Sequence, residues 1–213
     1  MTRILIIGGH GKIALKLAPL LVARGDIVTS LIRNPEHSDD VAATGASPVV
    51  ADVEQLSTAE LATLFREHHA IVWSAGAGGG SPERTYAVDR DAAIRAIDAA
   101  AAAGIPRFVM VSYFGAGPDH GVPADNSFFA YAESKAAADE HLKGSSLEWT
   151  ILAPSTLTDD AGTGAIEVGD DLESASVSRD DVAAVAAAVL ADDSTSGRVI
   201  PFNTGSTPIA EAL

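Results

Sequence analysis

The sequence predicts a single α/β domain on a doubly wound parallel sheet, and three observations lead there. The chain opens on Ile4-Leu5-Ile6-Ile7, a run of branched apolar residues that reads as a strand buried on both faces. A glycine-crowded turn, Gly8-Gly9-His10-Gly11, passes into a segment with Leu15, Leu17, Leu20 and Leu21, which reads as an amphipathic helix. Strand and helix then keep alternating at the spacing of βαβ units.

Taken in order, strands are expected near 26–32, 48–51, 70–74, 107–112, 148–153 and 198–202. Helices are expected near 11–24, 58–67, 83–103, 129–143 and 179–191. Right-handed crossovers place the helices on both faces of the sheet. Ligands of such sheets bind beyond the carboxyl ends of the strands, which nominates the loops after Ile7, Ile32, Val50, Ser74, Ser112 and Ala153. There is no internal repeat or linker, so residues 1–213 read as one domain, with 154–178 as a substrate-side lid. The Gly76–Gly80 and Gly115–Asn126 segments read as mobile loops, not domain boundaries.

Composition narrows the function. A formal charge of −15, with acidic residues scattered along the chain, argues against a nucleic-acid partner. No apolar run is long enough to span a membrane, and the first one is too short for a signal peptide. The chain has no cysteine, so disulfide and thiolate chemistry are excluded, and a cytoplasmic location is expected. His68-His69 has no partner at metal-ligand spacing, and His10 sits inside the glycine turn, so no metal site is expected.

The loops carry the chemistry. In Gly8-x-x-Gly11-x-x-Ala14, Gly8 serves the tight turn, Gly11 lets a phosphate approach, and Ala14 lets the helix pack close to the strand. The helix N-terminus then offers free N–H groups to a pyrophosphate, so Gly8, His10, Gly11, Lys12 and Ile13 are expected to hold a dinucleotide. After the second strand, an acidic residue would bind a ribose 2′-hydroxyl; Arg33 stands there instead and suits a 2′-phosphate, so NADP is favoured over NAD. Asp52 and Val53 border the adenine, with Asp52 either accepting from its amino group or serving as a turn residue. Ser74, Ala75 and Gly76 leave room for ribose and pyrophosphate. Beyond Ser112, Tyr131 and Lys135 are i,i+4 neighbours on one helix face. Phe128 and Phe129 form an aromatic cluster with Tyr131, as core or as pocket lining.

Together these residues resemble the short-chain dehydrogenase/reductases, specifically their atypical single-domain branch with NAD(P)H-binding members and a Rossmann-like fold. The resemblance spans nearly the whole chain. It includes the turn at Gly8, Arg33-Asn34-Pro35, Asp52-Val53, Ser74-Ala75-Gly76, Ser112, Tyr131-x-x-x-Lys135, Trp149–Pro154 and Ser178–Ala183. It implies that Tyr131 is the general acid/base and that Lys135 lowers its pKa while holding the nicotinamide ribose. It further implies that Ser112 orients a substrate carbonyl and that Pro154 borders the cofactor. A phenol titrates near pH 10, so work at neutral pH asks for a shift of about three units, or about 4 kcal/mol.

Two departures stand out. Asp89 occupies a place where extended relatives carry Asn, and Ala153-Pro154-Ser155 replaces their Arg-Pro-Gly. The large C-terminal substrate domain of sugar-nucleotide epimerases is also absent, which disfavours epimerisation. The leading expectation is an NADP-preferring oxidoreductase for a small carbonyl, quinone or flavin-like acceptor. The alternative is a non-catalytic NAD(P)-sensing regulator. Small-residue faces on the helices at 91–103 and 129–143 leave the chain a monomer or a homodimer.

Overall fold

A computed structural model describes residues 1–78 and 81–213. The chain begins with β1 (Arg3–Ile7), α1 (Lys12–Ala23), β2 (Ile27–Ile32), α2 (Ser38–Ala43), β3 (Ser47–Val50), α3 (Thr58–Phe65) and β4 (Ala70–Trp73). A long helical passage follows: α4 (Pro82–Thr85), a π-helical stretch (Tyr86–Ala92) and α5 (Ala93–Ala103). Then come β5 (Arg107–Val111), α6 (Phe129–Lys143), β6 (Glu148–Pro154), β7 (Thr156–Thr158), β8 (Ala165–Val168) and β9 (Ser176–Ser178). The chain closes with α7 (Arg179–Val189), β10 (Arg198–Thr204), β11 (Thr207–Pro208) and α8 (Ile209–Ala212).

The main sheet has nine strands in the order β11-β8-β10-β6-β5-β4-β1-β2-β3. From β3 to β10 every pairing is parallel, and β1 lies between β2 and β4, where the strand order reverses. A crevice therefore opens at the carboxyl end of β1. Alternate residues of β1 serve opposite layers. Ile4 and Ile6 pack with α1 and α7, while Leu5 and Ile7 pack with α3, α5 and α6. This two-sided burial is why the strand reads as an unbroken apolar run.

Local chemistry fixes several boundaries. Ser57 and Glu60 form a reciprocal capping box at the start of α3. Gly104, at φ 72°, ends α5 in a left-handed conformation that a side chain would resist. The buried Arg107 ties β5 to the end of α7, donating to the carbonyls of Glu148 and Val189 and to Thr195 Oγ1 at 2.7–3.0 Å.

The structure adds pieces that periodicity does not reveal. Helix α2 is too short to show a helical repeat. Residues 154–178, expected as a lid, hold three short strands: β8 runs antiparallel to β10 within the main sheet, and β7 pairs with β9. That segment meets the glycine turn through Asp159, which accepts from Lys12 Nζ at 2.5 Å and from Arg179 at 2.8 Å. The Gly115–Asn126 loop is held to α6 by His120, whose Nε2 pairs with Glu133 at 2.9 Å. Of the other expected loop, Gly79 and Gly80 lie outside the described residues.

Candidate active site

The turn after β1 packs against the turn after β4. Gly8 sits at φ +83°, and a Cβ there would lie 2.6 Å from Ala75 Cα, so only glycine fits. Gly9 is equally confined, with Ser30 Cβ 2.5 Å from where its own Cβ would stand. The Gly11 N–H donates to the Gly8 carbonyl at 2.8 Å, and Gly11 then caps α1 with no side-chain partner for the first N–H groups. An uncapped helix start beside a glycine cradle fits a pyrophosphate.

A cavity of about 430 Å³ opens along this crevice. Nine of the expected binding residues line it: Gly8, His10, Gly11, Arg33, Asp52, Val53, Ser74, Ala75 and Gly76. Asp52 also makes the turn, since its Oδ1 accepts from the Glu54 N–H at 3.0 Å. His10 stacks on His37 with ring centroids 3.6 Å apart, and its Nε2 pairs with Asp40 at 2.9 Å. Four expected cofactor-binding residues do not line the cavity: Lys12, Ile13, Pro154 and Lys135. Lys12 reaches outward to Asp159, Ile13 is buried in the core layer under α1, and Pro154 is buried at the end of β6 with its carbonyl accepting from Phe114. The sequence reading missed Glu54 and Arg84, both of which line this cavity. Glu54 comes from the loop after β3 and Arg84 from α4, 30 residues apart, and no local pattern marks them.

A second cavity, of about 420 Å³, shares Gly76 and Gly78 with the first. Asp89, Ser127, Phe128, Ala130 and Tyr131 form part of its wall. Phe128 and Tyr131 stand 5.1 Å apart, ring to ring, and Tyr113 packs against both. Phe128 is 42% exposed and so serves as lining, whereas Phe129 turns away to pack edge-on against His120.

Tyr131, Lys135 and Asp139 follow one another on α6 at four-residue intervals and so share a face. Lys135 is 1% exposed; its Nζ donates to the Val111 carbonyl at 2.8 Å and lies 3.3 Å from Met110 Sδ. The buried Ser112 hydroxyl donates to Asp139 Oδ2. The buried Asp89, carried by the π-helical stretch, accepts from the Ala77 N–H at 2.9 Å and so fixes the loop after β4. Such stretches recur at functional sites because they re-aim a side chain. Ser112 and Lys135 line neither of the two cavities.

The protein's own charges oppose a phenolate at Tyr131. Burial, followed by the carboxylates of Asp89 and Asp139, pushes the Tyr131 phenol well above its ordinary value. Burial also raises both carboxyls, against the pull of Lys135. The Lys135 ammonium is itself drawn down by burial, and Asp139 and Asp89 oppose that. Two acids around one ammonium leave the pocket negative when all are ionised, and a phenolate is disfavoured there.

Comparison with known proteins agrees with this geometry. A family described as NAD(P)H-binding matches residues 8–193. An uncharacterised sugar epimerase of Bacillus subtilis, YhfK, is 37% identical over 99% of this chain and 98% of its own. A structure from Bacillus halodurans, titled as a candidate NAD-dependent epimerase/dehydratase, has a TM-score of 0.91 at 33% identity, covering 99% of this chain and 97% of that one. ChuY, an anaerobillin reductase from Escherichia coli O157:H7, has a TM-score of 0.78 at 25% identity, covering 96% and 98%. With its glycine cradle, switch-point crevice and parallel sheet, the chain belongs to the NAD(P)H-binding family of single-domain, Rossmann-like proteins of the atypical short-chain dehydrogenase/reductase type.

Proposed function

We propose that the protein is an NADP-preferring reductase of a small carbonyl, quinone or flavin-like acceptor. The observation that carries this reading is that the two cavities adjoin, both lined by Gly76 and Gly78. A dinucleotide with its adenosine beside Arg33 and its pyrophosphate at Gly11 extends toward the aromatic cavity that holds Tyr131.

A bound reduced nicotinamide would supply a hydride to the acceptor. Tyr131 stands on the wall of the acceptor cavity and donates its phenolic proton to the oxygen that gains charge. The phenol carries its proton at neutral pH, while burial and the two carboxylates oppose the phenolate left after transfer. Lys135 supplies the positive charge on the same helix face, and Phe128 with Ala77 gives the acceptor cavity apolar lining.

A second reading, binding without turnover, is favoured by the commitment of Ser112 to Asp139, which takes the one hydroxyl proton that a substrate oxygen would need. One experiment separates them. The protein is titrated with NADPH and NADH by nicotinamide fluorescence and then assayed for NADPH oxidation with quinones and aldehydes. Binding with turnover that Tyr131→Phe removes supports the reductase. Binding with turnover that survives in Tyr131→Phe overturns the assignment of the proton donor. Binding with no oxidation by any acceptor supports the sensor, and failure to bind either nucleotide sinks both readings.

A further inference from the structure

Glu54 stands between two guanidiniums at the adenosine end of the first cavity. Its Oε1 accepts from Arg33 Nη1 at 3.0 Å and from Arg84 Nη2 at 3.1 Å. Arg33 follows β2, Glu54 follows β3, and Arg84 reaches in from α4, so three separate segments converge on one point. All three residues line the cavity. The Glu54 side chain is only 18% exposed, against 55% for Arg33. Arg84 is further fixed by a hydrogen bond from Nη1 to the Ala77 carbonyl, in the loop between the two cavities.

The charge count is informative. At Glu54 two guanidiniums meet one carboxylate, while Asp52 brings the charges of the cavity wall as a whole into balance; paired guanidinium forks match the oxygens of a phosphate monoester. The carboxylate works in the opposite direction. It repels a phosphate brought to the same guanidiniums, and it offers an acceptor to a ribose that carries a free 2′-hydroxyl.

We propose that Glu54 and Arg84 set the choice between NADP and NAD, with Arg84 the second guanidinium for the 2′-phosphate and Glu54 the counterweight that restrains it. This rests on the dinucleotide reading of the same cavity and assigns the preference to a triad rather than to Arg33 alone. Glu54 competes for the guanidiniums when a 2′-phosphate arrives and accepts from the 2′-hydroxyl when none is present.

Two probes that differ only at the 2′ position test this: adenosine 2′,5′-bisphosphate and 5′-AMP, titrated calorimetrically into the full-length protein, Glu54→Gln and Arg84→Gln. Glu54→Gln removes the charge but keeps the shape, and is expected to tighten the bisphosphate about tenfold while weakening 5′-AMP about threefold. Arg84→Gln is expected to weaken the bisphosphate about tenfold and leave 5′-AMP within about twofold. If the parent protein binds both probes and neither variant changes their ratio, this assignment is overturned and the dinucleotide site stands. If the parent binds neither probe, nor NADPH, the dinucleotide reading falls and takes this assignment with it.

Discussion

Ser112 and Asp139 are joined side chain to side chain across 27 residues of sequence: the Ser112 hydroxyl donates to Asp139 Oδ2, and Asp139 Oδ1 is buried without a partner among the described residues. The bond links the end of β5 to the third turn of α6. Removing its donor leaves a buried carboxylate with neither oxygen hydrogen-bonded. Ser112→Ala is therefore expected to lower the unfolding free energy by about 1–3 kcal/mol. Urea denaturation checks this, and a double-mutant cycle with Asp139→Asn is expected to return most of the loss. Additive effects in that cycle would show that the two groups do not interact.

Tyr131 gives the protein an alkaline limit. Its folded-state pKa is raised by burial and by Asp89 and Asp139, whereas the unfolded phenol titrates near its ordinary value of about 10. Above that pH the unfolded chain releases a proton that the folded chain retains. The stability contribution is present in full below the unfolded pKa and is lost as pH rises toward the folded one. Tyr113 is shifted in the same direction, mainly by burial. Unfolding free energy is expected to decline between about pH 10 and 11, less steeply in Tyr131→Phe. Equal slopes in the two proteins would contradict the assignment.

Gly8 admits no side chain. An alanine would have to hold φ +83° and place its Cβ 2.6 Å from the backbone of Ala75. Gly8→Ala is expected to cost about 2–4 kcal/mol through strain and displacement of the β4 turn. Thermal melting measures that cost. Gly104→Ala is a useful control, because it meets the same left-handed strain at φ +72° with nothing within 4 Å of its Cβ. Similar losses in both would show that the packing against Ala75 adds nothing.

Arg107 closes the gap between β5 and the end of α7 with three hydrogen bonds from a buried guanidinium. Arg107→Ala is expected to destabilise by about 2–4 kcal/mol without changing affinity for NADPH, because it lies at the opposite end of β5 from Ser112. Denaturant melts and nucleotide titration on the same sample check both halves of the statement.

Particular elements show what could be read in advance. Strand β1 and the turn at Gly8 were legible because two-sided burial and a positive φ each leave a signature within a few residues. Helix α6 was legible from 129 to 143, and Asp139 lies on the same face as Tyr131 and Lys135, so helical spacing alone could have nominated it. The antiparallel β8 and β11 were not legible, since neither is long enough to show a period; β8 depends on the edge that β10 provides, and β11 on the edge of β8. The carboxylates around Tyr131 were not legible for a similar reason. The sequence offered Lys135 and an oxidised nicotinamide as the cations near the phenol, but not Asp89, which only the long helical passage from 82 to 103 brings to that cavity.

The sequence by itself determined the alternation of strand and helix, the glycine cradle and the spacing of Tyr131 to Lys135, because each depends on neighbours within one or two turns of chain. Only the tertiary structure decided which charges face one another: Glu54 between Arg33 and Arg84, Ser112 turned to Asp139, Lys12 drawn away to Asp159. Electrostatic energy depends on separation in space, and the fold sets those separations between residues that lie far apart along the chain.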